Sequence, residues 1–251
     1  MRKLKLLDLF SGIAGFSVGL EMSGAFETVA FCEMDTNCHK VLRKHWPKVP
    51  IYEDVAKLTA NRLNADGISI DAICGGFPCQ DISEAGKRVG IRGARSGLWS
   101  EFSRLIGELR PKYVFVENVS ELLIRGLDVV LSDLASLGYD AEWHCIQASD
   151  VGSPQIRDRL FIIAYNSGVG FYDSQGKIKR AASQKFPIGG RLIEGINKAR
   201  SEVWWPNEPY ICRVAYGVPN QSHRIRMLGN AIVPVIPKII GDAIREIEEF
   251  H

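Results

Sequence analysis

The chain has 251 residues and a formal net charge of +2 at pH 7, and its 46% hydrophobic and 24% charged residues predict an ordinary globular protein of one domain or slightly more. The sequence predicts neither a secretory leader nor a membrane span, because Asp8 interrupts the apolar start and no stretch approaches about 18 apolar residues. Six cysteines show no CxxC pair and no metal-ligand spacing, so we expect reduced thiols, a cytosolic compartment and no bound metal.

The first predicted unit is a strand over 4–9, a glycine-rich turn over 11–15 and a helix, an arrangement typical of nucleotide-binding sites. Glycines let the backbone approach a ligand, and the first turn of a helix offers free N–H groups. A second strand over 28–33 ends in Glu33, 18 residues after Gly15, where an acid commonly accepts hydrogen bonds from ribose hydroxyls. Either feature alone is equally compatible with a structural role, but together they favour an adenosine ligand.

Several later strands also end in polar or reactive side chains. The elements in this part of the chain are a helix over 35–45 capped by Asp35 or Thr36, a strand over 51–55, a strand over 70–74, a helix over 98–109 and a strand over 112–119. Asp54 and Glu117 lie at the ends of two of these strands. Ligands of open α/β sheets bind outside the carboxyl ends of the strands, so a site is predicted at this edge.

Cys79 follows the strand over 70–74 on a constrained turn. Two glycines end the strand, and Pro78 fixes its own φ while favouring extended geometry at Phe77. The position suits a nucleophilic thiol. The alternative is that Cys79 is a small buried hydrophobic residue, as a lone cysteine commonly is.

Two segments are markedly basic. Residues 86–95 are glycine-rich, carry four cations and lack periodicity, which predicts either a lid over a phosphate backbone or a simple flexible connector. Residues 165–226 hold ten Lys/Arg against four Asp/Glu, a net charge of +6 that leaves −4 for the rest of the chain. This asymmetry is typical of a polyanion-binding face, with a solvated lysine-rich loop as the alternative. We interpret this part as a small second domain or elaborated loop, with Trp204-Trp205-Pro206 as its anchor.

The remaining predicted elements are a helix over 122–137, strands over 139–148 and 159–164, a turn over 229–231 and an amphipathic helix over 236–247 with Pro237 in its first turn. The two strands are expected to pair antiparallel, because the connection between them is too short for a crossover helix. Gln155, Arg157 and Arg159 alternate along the chain, which places their side chains on one face of an extended segment.

Five motifs carry a family resemblance that covers nearly the whole chain. They are Asp8-Leu-Phe-Ser-Gly-Ile-Ala-Gly15, Gly76-Phe-Pro-Cys-Gln80, Glu117-Asn-Val119, Gln155-Ile-Arg-Asp-Arg159 and Leu228-Gly-Asn-Ala-Ile-Val-Pro234. In this order they are highly specific, and by them the chain resembles the cytosine-C5 DNA methyltransferases.

The resemblance implies an α/β fold with a Rossmann-like doubly wound, mostly parallel sheet that contains one antiparallel strand. A discontinuous S-adenosylmethionine-binding catalytic domain is implied for residues 1–164 with 223–251, its C-terminal helix packing beside the first motif. A small basic target-recognition region over 165–222, short for the family, is implied between the last two motifs.

The resemblance also implies catalytic roles for four residues. Cys79 would be the nucleophile whose thiolate adds to C6 of cytosine and so makes C5 able to take a methyl group. Glu117 would contact N3 and the exocyclic amine of the base, while Arg157 and Arg159 would orient the base. The neighbouring Asn118 is interpreted as structural or site-shaping. The sequence nominates no base for removal of the C5 proton.

The resemblance implies S-adenosylmethionine as the cofactor, S-adenosylhomocysteine as the product and no metal. Seven residues are implied to bind the cofactor: Phe10, Gly12, Gly15, Glu33 on the ribose, Asp54 on the adenine amine, Leu98 and Asn230. Two positions depart from the family pattern. Ala14 stands where many members have glycine, and alanine is tolerable there if its φ is negative. Met34 stands where an aromatic residue often follows the acid, which leaves adenine stacking open.

The implied partner is double-stranded DNA, from which the target cytosine must be swung out of the stack to reach a buried thiol. We expect a monomer without membrane association, bacterial or phage-encoded, cytoplasmic and nucleoid-associated, of the kind found in restriction-modification systems. One alternative is methylation of RNA by the same catalytic parts, which the absence of a Cys-Phe-Thr tripeptide disfavours. The other is a non-catalytic nucleic-acid-binding protein, which the intact set of catalytic residue types disfavours.

Overall fold

A seven-stranded sheet in the order β3-β2-β1-β4-β5-β7-β6 forms the centre of the computed structural model, which describes residues 2–78, 98–166, 188–201 and 230–249. The strands are β1 Leu4–Leu9, β2 Phe26–Cys32, β3 Ile51–Tyr52, β4 Ala72–Gly75, β5 Tyr113–Val119, β6 Tyr139–Gln147 and β7 Asp158–Asn166. The helices are α1 Gly15–Met22, α2 Thr36–His45, α3 Ala60–Ala65, α4 Leu98–Leu109, α5 Leu122–Arg125, α6 Leu127–Ser136, α7 Ile188–Ser201 and α8 Val235–Glu249, with a 3₁₀ turn over Ala148–Val151.

The pairing of the strands confirms the predicted fold class. The strands from β3 to β5 run parallel to their neighbours, whereas β7 is antiparallel to both β5 and β6. The register of β6 with β7 confirms the predicted antiparallel pair, and only the 3₁₀ turn and a short irregular stretch connect the two strands. The fold is therefore a Rossmann-like α/β sheet with one reversed strand.

Hydrophobic side chains are buried on both faces of the sheet, as expected when parallel strands are covered by helices on each side. One face carries Leu7 and Val116 and packs against α4 and α6. The other face carries Leu6 and Phe115 and packs against α1, α7 and α8. The C-terminal helix therefore returns to lie beside the first helix, as the resemblance implies.

Two predicted elements differ from the observed ones. The helix predicted over 122–137 is divided into α5 and α6 at Gly126. This glycine has a φ of 157°, which is not helical, and it caps the end of α5 and the start of α6. The third strand is only two residues long, because the Asp54 carboxylate accepts a hydrogen bond from the Ala56 N–H (3.0 Å) in a turn just after it. The predicted helix over 35–45 is confirmed, with Asp35 as its N-cap.

Helix α7 lies inside the predicted target-recognition region, where no helix was predicted. Its apolar residues Ile188, Leu192 and Ala199 are buried in the same cluster as α8. Gly195 lies so close to Ile239 that a Cβ there would collide with that side chain. Part of this region thus belongs to the core layer, while its boundaries at 165 and 222 stay a prediction.

Three sequence-based predictions lie outside the described residues: the nucleophile Cys79, the lid over 86–95 and the anchor over 204–206. In the described ranges, no helix combines the length and apolar character needed to cross a membrane.

Candidate active site

A cavity of about 610 Å³ opens at the carboxyl ends of the central strands. Nine of the eleven predicted site residues line it: Phe10, Gly12, Gly15, Glu33, Leu98, Glu117, Arg157, Arg159 and Asn230. Of the other two, Asp54 does not line the cavity and Cys79 is outside the described residues. Pro78, which precedes Cys79 in the sequence, also lines the cavity. The cavity therefore joins the predicted cofactor and base halves of the site.

The turn after β1 uses a left-handed backbone at three positions. The φ angles are 52° at Phe10, 54° at Gly12 and 66° at Ala14. The φ at Ala14 is therefore positive, and the condition under which alanine fits without backbone strain is not met. Its methyl group is fully buried with Phe31 and Leu42, and this burial offsets part of the cost of about 1–2 kcal/mol for a left-handed L-residue.

Glu33 ties the end of β2 to this turn. Its Oε2 accepts a hydrogen bond from the Gly12 N–H (2.7 Å), and its Oε1 accepts one from the Asp35 N–H (2.8 Å). Each carboxylate oxygen has a second lone pair that can accept from a ligand hydroxyl. The space beside the Gly12 Cα is open, so a ligand can approach the backbone there.

The acids after β3 are arranged differently from the prediction. Asp54 accepts from the Ala56 N–H and lies 3.6 Å from the Lys57 ammonium, whereas its neighbour Glu53 lines the cavity. Met34 also lines the cavity and is 71% exposed, so a thioether side chain lies where many family members have an aromatic residue. The role of Asp54 stays a prediction.

The Glu117 carboxyl group is buried at the other side of the cavity, between two arginines. Arg159 Nε lies 3.1 Å from Glu117 Oε1, while the nearest guanidinium nitrogen of Arg157 is 3.9 Å away. Burial raises the pKa of Glu117 above its ordinary value, and the positive charges of Arg159 and Arg157 offset part of that rise. A protonated carboxyl group can therefore persist here closer to neutral pH than on the surface.

The turn that leads to Cys79 is built around this carboxyl group. A Cβ at Gly76 would lie 2.7 Å from Glu117 Oε2, so only glycine fits without displacing the acid. Asn118 Nδ2 donates to the Phe77 carbonyl (3.2 Å), and Asn118 Oδ1 accepts from the Val119 N–H (2.9 Å). The structural interpretation of Asn118 fits these bonds.

The structure adds a buried acid, Asp8, and the two residues after Asn230, none of which the sequence reasoning assigned to the site. Asp8 lines the cavity, and Ser17 Oγ donates to its Oδ2 (2.6 Å). Burial raises the pKa of Asp8 to about 7, and hydrogen bonds from Ser17 and Cys74 limit the rise. The sequence signal that could have assigned Asp8 to the site is its position as the only acid in a largely apolar predicted strand. The segment 230–232 also lines the cavity.

Within the described residues, no group of three His, Cys, Asp or Glu side chains is arranged to hold a metal ion.

The chain is similar to known proteins along most of its length. The model of the family "C-5 cytosine-specific DNA methylase" matches residues 4–208. Type II methyltransferase M.CviJI of Paramecium bursaria Chlorella virus IL3A is 33% identical over 232 residues, which are 92% of this chain and 56% of that protein. Type II methyltransferase M.AquIA of Picosynechococcus sp. is 32% identical over 184 residues, which are 66% of this chain and 74% of that protein.

Among solved structures, a variant of Spodoptera frugiperda DNMT2 shares the fold, with a TM-score of 0.56 and 22% identity over 68% of this chain and 53% of that one. The chain spans about half the length of several curated relatives that it matches, 56% for M.CviJI and 42% for M2.BsuMI of Bacillus subtilis.

Proposed function

The chain belongs to the C-5 cytosine-specific DNA methylase family, and we propose that it transfers a methyl group from S-adenosylmethionine to C5 of a flipped-out cytosine in a specific duplex DNA site. One observation carries the proposal: a single cavity contains Glu33 and the glycine turn at one side, and the Glu117–Arg159 pair at the other. A donor and an acceptor of the methyl group can therefore meet within it.

The residues of the first side fit the proposed cofactor. The cavity has the size of a small-molecule site, and Gly12 offers open backbone beside the Glu33 carboxylate. When bound, S-adenosylmethionine supplies an electrophilic methyl group on a sulfonium. In the proposed site Glu33 accepts from the ribose hydroxyls, and Glu53 and Glu33 place negative charge beside a cationic ligand.

The residues of the second side fit activation of a pyrimidine. Cytosine C6 is a poor electrophile, so a thiolate adds there readily only when a proton reaches N3 at the same time. Burial raises the pKa of Glu117, which brings its carboxyl group closer to the range in which it can deliver a proton or share one with the base, and Arg159 beside it stabilises the charge left behind. Addition of the Cys79 sulfur to C6 makes C5 nucleophilic. After C5 is methylated, loss of its proton expels the thiolate and restores the double bond.

The test of the proposal is transfer of labelled methyl groups from S-adenosylmethionine to duplex DNA, with transfer RNA as the competing substrate. Bisulfite sequencing of DNA and RNA from cells that express the chain identifies the methylated base and its context. Methyl groups in RNA alone would favour the RNA alternative, and none in either would favour a non-catalytic binding protein.

Glu33→Ala is expected to weaken S-adenosylmethionine binding about tenfold, because the ribose loses its acceptor and Gly12 loses its partner. DNA affinity is expected to change less than twofold. Isothermal titration of both ligands measures this, with Glu27→Ala, an exposed acid on the same strand, as the matched control. Unaltered cofactor affinity in Glu33→Ala would remove Glu33 from the proposed site.

Replacing residues 165–222 by those of a relative is expected to change the DNA sequence that is methylated, since we propose this basic region as the reader of the bases. The chimera should retain Ile188, Leu192 and Ala199, which belong to the core. Sequencing of methylated DNA measures the outcome. An unchanged methylation pattern from an active chimera would place specificity elsewhere.

A further inference from the structure

Arg157 and Arg159 belong to one motif, yet their guanidinium groups make different contacts. Arg159 forms the close ion pair with Glu117, at 3.1 Å. Arg157 is 3.9 Å from the same oxygen, which exceeds hydrogen-bond distance. Its Nη1 instead donates to the Ala231 carbonyl at 2.5 Å, across 74 residues of sequence.

The contact partner of Arg157 belongs to the segment that closes the first side of the cavity. Asn230, Ala231 and Ile232 line the cavity, directly before α8. This segment lies so close to the glycine turn that a Cβ at Gly15 would be 2.6 Å from the Ile232 carbonyl oxygen. Its position therefore fixes the shape of the cavity beside Gly15.

The backbone of Arg157 is bonded to a different element, the 3₁₀ turn after β6. Its carbonyl accepts a hydrogen bond from the Ala148 N–H (2.8 Å) at the end of β6, and its side chain is only 13% exposed. A charged donor to a carbonyl makes a strong hydrogen bond, and this one is part-buried at the wall of the cavity. Removing the guanidinium leaves the Ala231 carbonyl without its protein partner among the described contacts.

We infer that Arg157 is a positioning residue that fastens the segment 230–233 against the glycine turn and thereby shapes the donor half of the cavity. The inference rests on the proposed function for its ligand. It separates the two arginines: Arg159 acts at Glu117 and the base, and Arg157 acts on donor binding through Ala231.

The experiment compares Arg157→Met, Arg157→Lys and Arg159→Met, after circular dichroism has verified that each variant is folded. Without DNA, Arg157→Met is expected to bind S-adenosylmethionine about tenfold more weakly than wild type, whereas Arg159→Met stays within twofold. The ammonium of Arg157→Lys can still donate to a carbonyl, so this variant recovers part of the loss. In turnover, Arg157→Met raises the KM for the donor, and Arg159→Met lowers kcat at saturating donor.

Amide hydrogen exchange gives a readout that needs neither ligand nor activity. Peptides covering 230–238 should exchange faster in Arg157→Met than in wild type or Arg159→Met, since the Ile236 and Lys238 amides donate within this turn. Unchanged exchange there, or unchanged donor affinity in Arg157→Met, overturns the inference. Absence of methyl transfer by the wild type would instead overturn the proposed function and leave the exchange result standing.

Discussion

Cys79→Ala is expected to reduce methyl transfer by about 10⁴-fold or more, while binding of S-adenosylmethionine and of DNA persists. The variant lacks the sulfur that must bond to C6, so C5 never becomes nucleophilic. In the proposed site the cofactor is contacted by other residues, among them Glu33 and Phe10, which line the cavity. The loss therefore falls on kcat rather than on affinity.

Single-turnover transfer of labelled methyl groups to duplex DNA measures this effect. Cys145→Ala is the matched control, because Cys145 is an exposed thiol on β6 and does not line the cavity. Retained transfer by Cys79→Ala, with the Cys145 variant equally active, would mean that another group attacks the base or that no covalent step occurs.

Glu117→Gln is expected to lower kcat by about 10²–10⁴-fold, because an amide of nearly the same shape cannot deliver a proton to N3. The sign of the pH dependence follows from the raised pKa of the buried carboxyl group. In the wild type the acid form is present below that pKa and is lost as pH rises through it, so the rate should fall on this alkaline limb. Glu117→Gln has no such group and should lack the limb.

Rate profiles across pH for both proteins at saturating substrates test the assignment. Glu121→Gln, four residues further along and not lining the cavity, is the matched control. The same alkaline limb in Glu117→Gln as in the wild type would assign it to a different group.

The sequence predicted correctly those helices and strands whose own apolar residues repeat with a clear period. The α4 boundaries match because Trp99, Phe102, Leu105 and Ile106 repeat at the helical period and are all buried. Helix α7 escaped prediction because a pair of glycines and a basic setting obscure its few apolar positions. The break at Gly126 was equally hidden, since apolar spacing continues on both sides of it.

The site shows the same division between local and distant information. The rule that parallel strands of a sheet end at the same edge predicted correctly that Glu33 and Glu117 lie at one cavity. It did not predict that Glu53 lines the cavity, because β3 ends at Tyr52 and the turn that follows sets the directions of both acids. The bond from Arg157 to Ala231 depends on how distant segments pack, and no local pattern encodes it.

The covalent bond between the Cys79 sulfur and C6 is the claim on which the proposed chemistry depends. A duplex carrying 5-fluorocytosine at the mapped target site tests it, because fluorine at C5 cannot leave as a proton does and the thiolate is then not expelled. With S-adenosylmethionine present, we expect a protein–DNA adduct that survives denaturing electrophoresis and is absent in Cys79→Ala. Its mass should equal that of the protein and one DNA strand plus CH2, because the transferred methyl group is gained and the thiol hydrogen is lost. Full methylation of the unmodified duplex by the same preparation, with no adduct on the fluorinated one, would contradict it.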